Sequence, residues 1–109
     1  MSVKKIKRSE DVTNAKALEI LRALAQSTEL SDVQKKTIDY LEKVVEAPAD
    51  AAEAKVNELV SKFGFARVTA IQLVNLSPQT LDELKYLLSL LERREFSEDE
   101  LKEMFKILK

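Results

Sequence analysis

The sequence predicts an all-α chain of about six short helices, and three observations carry that prediction. Apolar residues recur three and four positions apart almost everywhere after Val12, the spacing that lines one face of a 3.6-residue turn. Side chains able to cap a helix stand three residues ahead of an acid or amide at four places. Pro48, Gly64 and Pro78 punctuate the intervals between the apolar runs.

Taken in order, the first run holds Ala17, Leu18, Leu21, Leu24 and Ala25. The second is opened by Ser31 with Gln34 and holds Ile38, Leu41, Val44 and Val45. Pro48 is expected to stop it, because proline lacks an amide and clashes with the preceding turn. The third, opened by Asp50 with Glu53, holds Ala52, Val56, Leu59, Val60 and Phe63, and Gly64 sits where a left-handed residue would close it. A short fourth shows Ile71 and Val74 with flanking Leu73. Pro78 suits the first turn of the fifth, whose cap pair is Thr80 with Glu83 and whose stripe is Leu84, Leu87, Leu88 and Leu91. Ser97 with Glu100 opens the last, which holds Leu101, Met104, Phe105 and Leu108. Such stripes are chiefly core. The fifth is wide enough, with Leu90 off its main face, to leave surface for another protein.

Composition bounds the chemistry. A chain of 109 residues is one domain that can bury a core without staples. It holds no long apolar run and no apolar stretch near its start, so neither a membrane span nor an ordinary secretion signal is expected. The lack of cysteine fits a reducing compartment. With no His and no Cys, the usual zinc sets and the common general base are absent, and the single glycine excludes a glycine-rich phosphate loop. Paired carboxylates are the hydrolytic chemistry left open by 19 acids. Most of those acids have a structural use instead. Asp82, Glu83, Glu98, Asp99 and Glu100 fall in first turns, where negative charge meets the positive end of the helix dipole. Asp39 with Lys43, Glu58 with Lys62 and Glu98 with Lys102 have the spacing of surface ion pairs.

The net charge of −1 is unevenly spread. Residues 1–8 hold four of the 18 basic residues and no acid, so the remainder carries 14 bases against 19 acids, a net −5. A body of that sign is a poor general binder of phosphate backbones. The basic run Lys4, Lys5, Lys7 and Arg8 encloses Ile6 and follows Val3, with neither a cap nor a helical stripe. Its apolar content is too small for an amphipathic membrane anchor. A solvated terminus, a weak salt-sensitive nucleic-acid arm and a strand added to a partner's sheet edge all fit these residues, and composition does not choose among them.

The segments VTNAKALEIL, LSDVQKKTIDYLEKV, AAEAKVNELV, AIQLVNLSPQTLDELKYLL and FSEDELKEMFKIL, in that order, resemble the F subunit of archaeal RNA polymerase, the counterpart of the eukaryotic fourth subunit. The resemblance covers about residues 12–108. Its most distinctive parts are the run Ser31, Gln34, Thr37, Tyr40 and Leu41 and the run Pro78, Asp82, Glu83, Leu84 and Lys85. The chain departs from the family at Ser77, where leucine is common, and at Asp11, where an aromatic residue is common.

The resemblance implies an HRDC-like helical bundle, chiefly over the C-terminal part of residues 13–109, preceded by an extended partner-docking segment at residues 1–12. It implies a cytoplasmic, non-catalytic stalk subunit of a multi-subunit polymerase, with no cofactor and no active site of its own. Its partner would be the E subunit, which carries an OB-type domain, and through that subunit the polymerase core. The pair would assist promoter opening, engage nascent RNA mostly through the larger subunit, and influence termination. Carried onto this sequence, the partner surface is Val3, Ile6 and Val12 in the segment, with Leu18, Leu21, Tyr40 and Leu41 in the first helices. Lys4, Lys5, Lys7 and Arg8 would keep an unpaired strand soluble and form a rim facing RNA. The competing reading is a free-standing HRDC-like module that binds nucleic acid directly.

Overall fold

The computed structural model describes residues 12–109. Val3, Ile6 and the basic residues Lys4, Lys5, Lys7 and Arg8 therefore lie outside the described residues, as does all of the expected docking segment except Val12. Among the described residues there are six helices and no strand: α1 (Asn14–Ser27), α2 (Asp32–Val44), α3 (Ala49–Phe63), α4 (Arg67–Leu76), α5 (Leu81–Leu91) and α6 (Glu98–Leu108).

Local chemistry sets most of the helix ends. Ser31 and Ser97 each accept from the amide three residues on, at 3.1 Å, while Gln34 and Glu100 reach back to the serine amides at 2.9 and 2.8 Å. Both are reciprocal capping boxes, as the spacing predicts. At α5, Thr80 takes the Glu83 amide, but the Glu83 carboxylate reaches past it to the amide of Gln79. Gly64 closes α3 at φ +69, the left-handed conformation expected of it.

Two expectations at the prolines are corrected. Asp50 and Glu53 do not form a capping box, because Pro48 already provides the extended residue from which α3 starts, and Asp50 falls inside the first turn. Glu53 pairs instead with Arg67 of α4, at 2.7 and 3.0 Å. Pro78 is not in the first turn of α5: the Thr80 hydroxyl caps the helix two residues later, and Pro78 is buried in the connection before it. Glu98 also turns away from Lys102 to reach Lys85 across the α5–α6 loop at 3.1 Å, whereas the expected Glu58–Lys62 pair forms at 3.4 Å.

Packing divides the chain unequally. The main core is built by Val56 and Leu59 of α3, Phe65, Ile71 and Leu73 of the next segment, Leu84 and Leu88 of α5, and Leu101, Met104 and Leu108 of α6. Leu73, read from the sequence as a flank, is completely buried. Burying each such side chain contributes about 1.5–3 kcal/mol relative to exposure. No residue of α1 or α2 belongs to this core. The two helices pack on each other, and α1 meets α3 through a smaller cluster of Ala15, Ala49 and Ala52 with half-buried Val45 and Val74 around it.

The α3–α4 and α5–α6 turns are tied together by Arg94. Its guanidinium lies 4.9 Å from the Phe96 ring centre and 5.4 Å from that of Phe65, and it donates to the Phe63 carbonyl at the C-terminus of α3. This places a cation on two aromatic faces and at the negative end of a helix dipole at once.

The two left-handed helix ends give opposite predictions. Ser77 closes α4 at φ +46 without the freedom of glycine, so Ser77→Gly is expected to raise unfolding stability by up to ~1 kcal/mol. Gly64→Ala meets no atom within 4 Å of the added carbon, so its expected cost of about 1 kcal/mol is conformational alone. Urea titration of both variants checks the pair of signs. A pH titration tests the Glu53–Arg67 pair. The Arg67 hydrogen bond holds the Glu53 carboxyl below its ordinary value, so the pair's contribution is present above the normal glutamate pKa and is lost as pH falls through the depressed one. Removing Arg67 with R67A is expected to flatten that part of the acid limb of stability against pH; both groups are partly exposed, so the effect is small.

Candidate partner-docking surface

The α1–α2 hairpin carries apolar side chains that the described residues do not cover. In α1, Ala15 and Leu18 are buried, Leu21 and Leu24 are half-buried, Ala25 is exposed, and Ile20 is half exposed. In α2, Leu41 is buried and Ile38 half-buried, whereas Val33, Tyr40 and Val44 are exposed. Positions 33, 37, 40 and 44 fall on one face of a helix, so these three residues form a single stripe with Thr37 among them. Tyr40 is 60 % exposed and Val33 is 72 % exposed, and large apolar groups in a row on one helix face mark a contact surface more than isolated ones do.

The hairpin is held in shape from within. Ser31 and Gln34 start α2, Leu18 of α1 and Leu41 of α2 are buried, and Arg22 pairs with Glu42 across the two helices at 2.8 Å. The start of α1 is fixed twice. Thr13, itself buried, accepts from the Lys16 amide at 3.1 Å, and Asn75 of α4 accepts from the Asn14 amide at 2.9 Å. Val12, the first of the described residues, is half-buried next to this point.

The expected site residues thus fall into distinct environments. Tyr40 is exposed on α2 and Leu21 half-buried on α1, whereas Leu18 and Leu41 are buried. Thr13, Asn75 and Arg94 were not singled out from the sequence. Thr13 had a local signal, a capping residue directly before an apolar run. Asn75 acts on a residue 61 positions away and Arg94 on one 31 away, and no local pattern reports such partners.

Two open clefts flank the hairpin. One of ≈ 360 Å³ lies between the start of α1, the α4–α5 connection and the end of α6, and contains Lys55, whose ammonium donates to the Leu108 carbonyl at 3.1 Å. The other, ≈ 530 Å³, lies between α1 and the α2–α3 connection. Among the described residues no group of three or more acidic side chains is placed to hold a metal ion, and no helix is long and apolar enough to cross a membrane.

Residues 3–109 match the family model of RNA polymerase Rpb4. The chain belongs to the Rpb4 family. It is also 37 % identical over 82 residues to the DNA-directed RNA polymerase subunit Rpo4 of Methanocaldococcus jannaschii, an alignment spanning 75 % of this chain and 70 % of that one. The family match begins at residue 3 and so takes in nearly all of the segment expected to dock on a partner. The resemblance read from the five ordered segments is therefore to the right family.

The contrast between Tyr40 and Leu41 of this Rpb4-family chain is directly testable. In the isolated protein Tyr40→Ala is expected to change stability by no more than about 0.5 kcal/mol, as for other surface substitutions. Leu41→Ala is expected to cost the hairpin about 2–5 kcal/mol, as buried leucine deletions do. Hydrogen exchange at the α1 and α2 amides measures both.

Proposed function

We propose that this chain is a non-catalytic stalk subunit of a multi-subunit RNA polymerase, working in the cytoplasm and carrying no active site or cofactor of its own. It forms a heterodimer with the E subunit and reaches the polymerase core through it. The pair supports promoter opening, nascent RNA engagement and termination. The observation that carries this reading is the unburied stripe Val33, Tyr40 and Val44 on α2 of an Rpb4-family chain. The relative from M. jannaschii bears the name of a DNA-directed RNA polymerase subunit, which favours the same assembly.

In this reading Val3, Ile6 and Val12 add to the sheet of the OB-type partner, whose edge satisfies their amides. Tyr40 and Leu21 continue the interface along the hairpin, with Leu18 and Leu41 holding the two helices together from beneath. Tyr40 suits an interface core, since a tyrosine supplies a large apolar area and a polar tip. Lys4, Lys5, Lys7 and Arg8 protect the unpaired segment and form the rim nearest RNA, while the body, at −5, leaves most RNA contact to the partner.

Co-expression with an OB-domain E subunit is expected to give a salt-resistant 1:1 complex with an interface of at least ~1,000 Å². Tyr40→Ala is expected to weaken that complex about tenfold or more. Undiminished affinity after deletion of residues 1–12 would refute the docking arrangement. Changing Lys4, Lys5, Lys7 and Arg8 together to serine should leave the heterodimer intact while reducing RNA affinity and flattening its salt dependence. RNA binding by the isolated chain as strong as that of the pair would instead support a free-standing nucleic-acid module.

A further inference from the structure

We propose that the α1–α2 hairpin opens as a unit, hinged at residues 45–48 and latched to the body by Asn75. This goes beyond the stalk assignment and stands whatever the partner is.

Four observations meet at the same seam. The main core contains no hairpin residue, so the hairpin can leave without disturbing Val56, Leu59, Leu84 or Met104. The buried apolar cluster shared by hairpin and body holds Ala15, Ala49 and Ala52, whose side chains remove little apolar surface from water, with Val45 and Val74 only half-buried around them. Both clefts described above border this seam, each lined by residues of α1, of the 45–48 connection and of α3. The chain crosses from hairpin to body only through residues 45–48, which are not helical and end at Pro48.

The latch is the Asn75 side chain. Its oxygen accepts from Asn14, one of the first amides of α1, which have no partner inside their own helix. Asn75 belongs to α4, so the bond joins hairpin to body across the seam. The hairpin keeps its own ties when that bond breaks: the Arg22–Glu42 pair, the Ser31–Gln34 box and the Thr13 cap lie within it. A segment with its own internal bonds and few buried apolar contacts to the rest opens below the global unfolding free energy. Opening uncovers Ala15, Ala49, Ala52 and Val74, and it frees the α2 stripe to change its angle to the body.

Native-state hydrogen exchange on the full chain, followed through low urea concentrations, tests this. Released from α3, helices of 14 and 13 residues are marginal in water, so amides of α1 and α2 are expected to exchange from the open hairpin with weaker urea dependence than those of α3, α5 and α6. Asn75→Ala is expected to speed exchange in α1 and α2 about five- to tenfold, the effect of losing one hydrogen bond, and to leave α5 and α6 unchanged. Met104→Ala is the reciprocal control: it should speed exchange in α3–α6 and leave the hairpin at its own rate. Merging of all helices on one urea dependence, or an equal response of both halves to either variant, overturns the proposal. So does an Asn75→Ala chain whose α1 and α2 exchange as in the parent.

Discussion

Helix α3 meets the rest of the molecule through one stripe, and the size of the side chains along that stripe decides what each end can hold. Ala49 and Ala52 begin it, Val56 and Leu59 continue it, and Phe63 ends it. All of these positions share the inward face, so α3 is a graded surface from small to large. Its wide end anchors α4 and α6 in a core where Val56, Leu59 and Met104 are fully buried. Its narrow end lets α1 approach closely, but a methyl group gives little area in return. A single helix therefore supports a firm lobe on one side and a lightly held hairpin on the other.

The polar interactions follow the same division. In the firm lobe they reinforce packing: Arg94 lies against Phe65 and Phe96 while meeting the end of α3, and Lys55 supplies a donor to the last turn of α6. Cations at helix C-termini are favoured by the dipole, and these two are joined to residues brought near by tertiary structure. At the seam polar contacts take the place of packing. The Asn75–Asn14 bond is one directional contact where a larger apolar interface would otherwise be expected; near it Lys16 is held in its charged form chiefly by its hydrogen bond to Glu19 of the same helix, with smaller contributions from Asp50 and Glu53 of α3. Exposed charge contributes little in water, so the hydrogen bond and the alanines set the strength of the joint.

This division explains what the sequence revealed and what it did not. All six helices were legible because their apolar periods are local properties, as are the serine or threonine caps of α2, α5 and α6, whereas α3 and α4 start without a side-chain cap. The Asp50–Glu53 expectation failed for a local reason too: Pro48 started the helix first, and Glu53 was taken by Arg67 from the next helix. The seam was not legible, since alanines give no strong hydrophobic signal and the Asn14–Asn75 bond joins distant positions. The width of the apolar stripes was visible, but not which side of α2 the protein keeps. Tyr40 and Leu41 are adjacent in the run that resembles the family, and only tertiary packing buries Leu41 and leaves Tyr40 on the surface.

An interface stripe on a lightly held hairpin has different energetics from one on a rigid lobe. A rigid stripe must match its partner as built, whereas a hinged one can adjust its angle before the contacts close, at the cost of ordering the joint. In the proposed opening that cost would be limited, because the Arg22–Glu42 pair and the α1–α2 packing tie the two helices to each other. The apolar residues of α2 stay arranged on one face throughout, since their spacing depends on the helix and its capping box and not on the seam. In the proposed docking, recognition and attachment would be separated physically: the exposed Val33, Tyr40 and Val44 would present the surface, and Ala15, Ala49, Ala52 and Asn75 would set where it points.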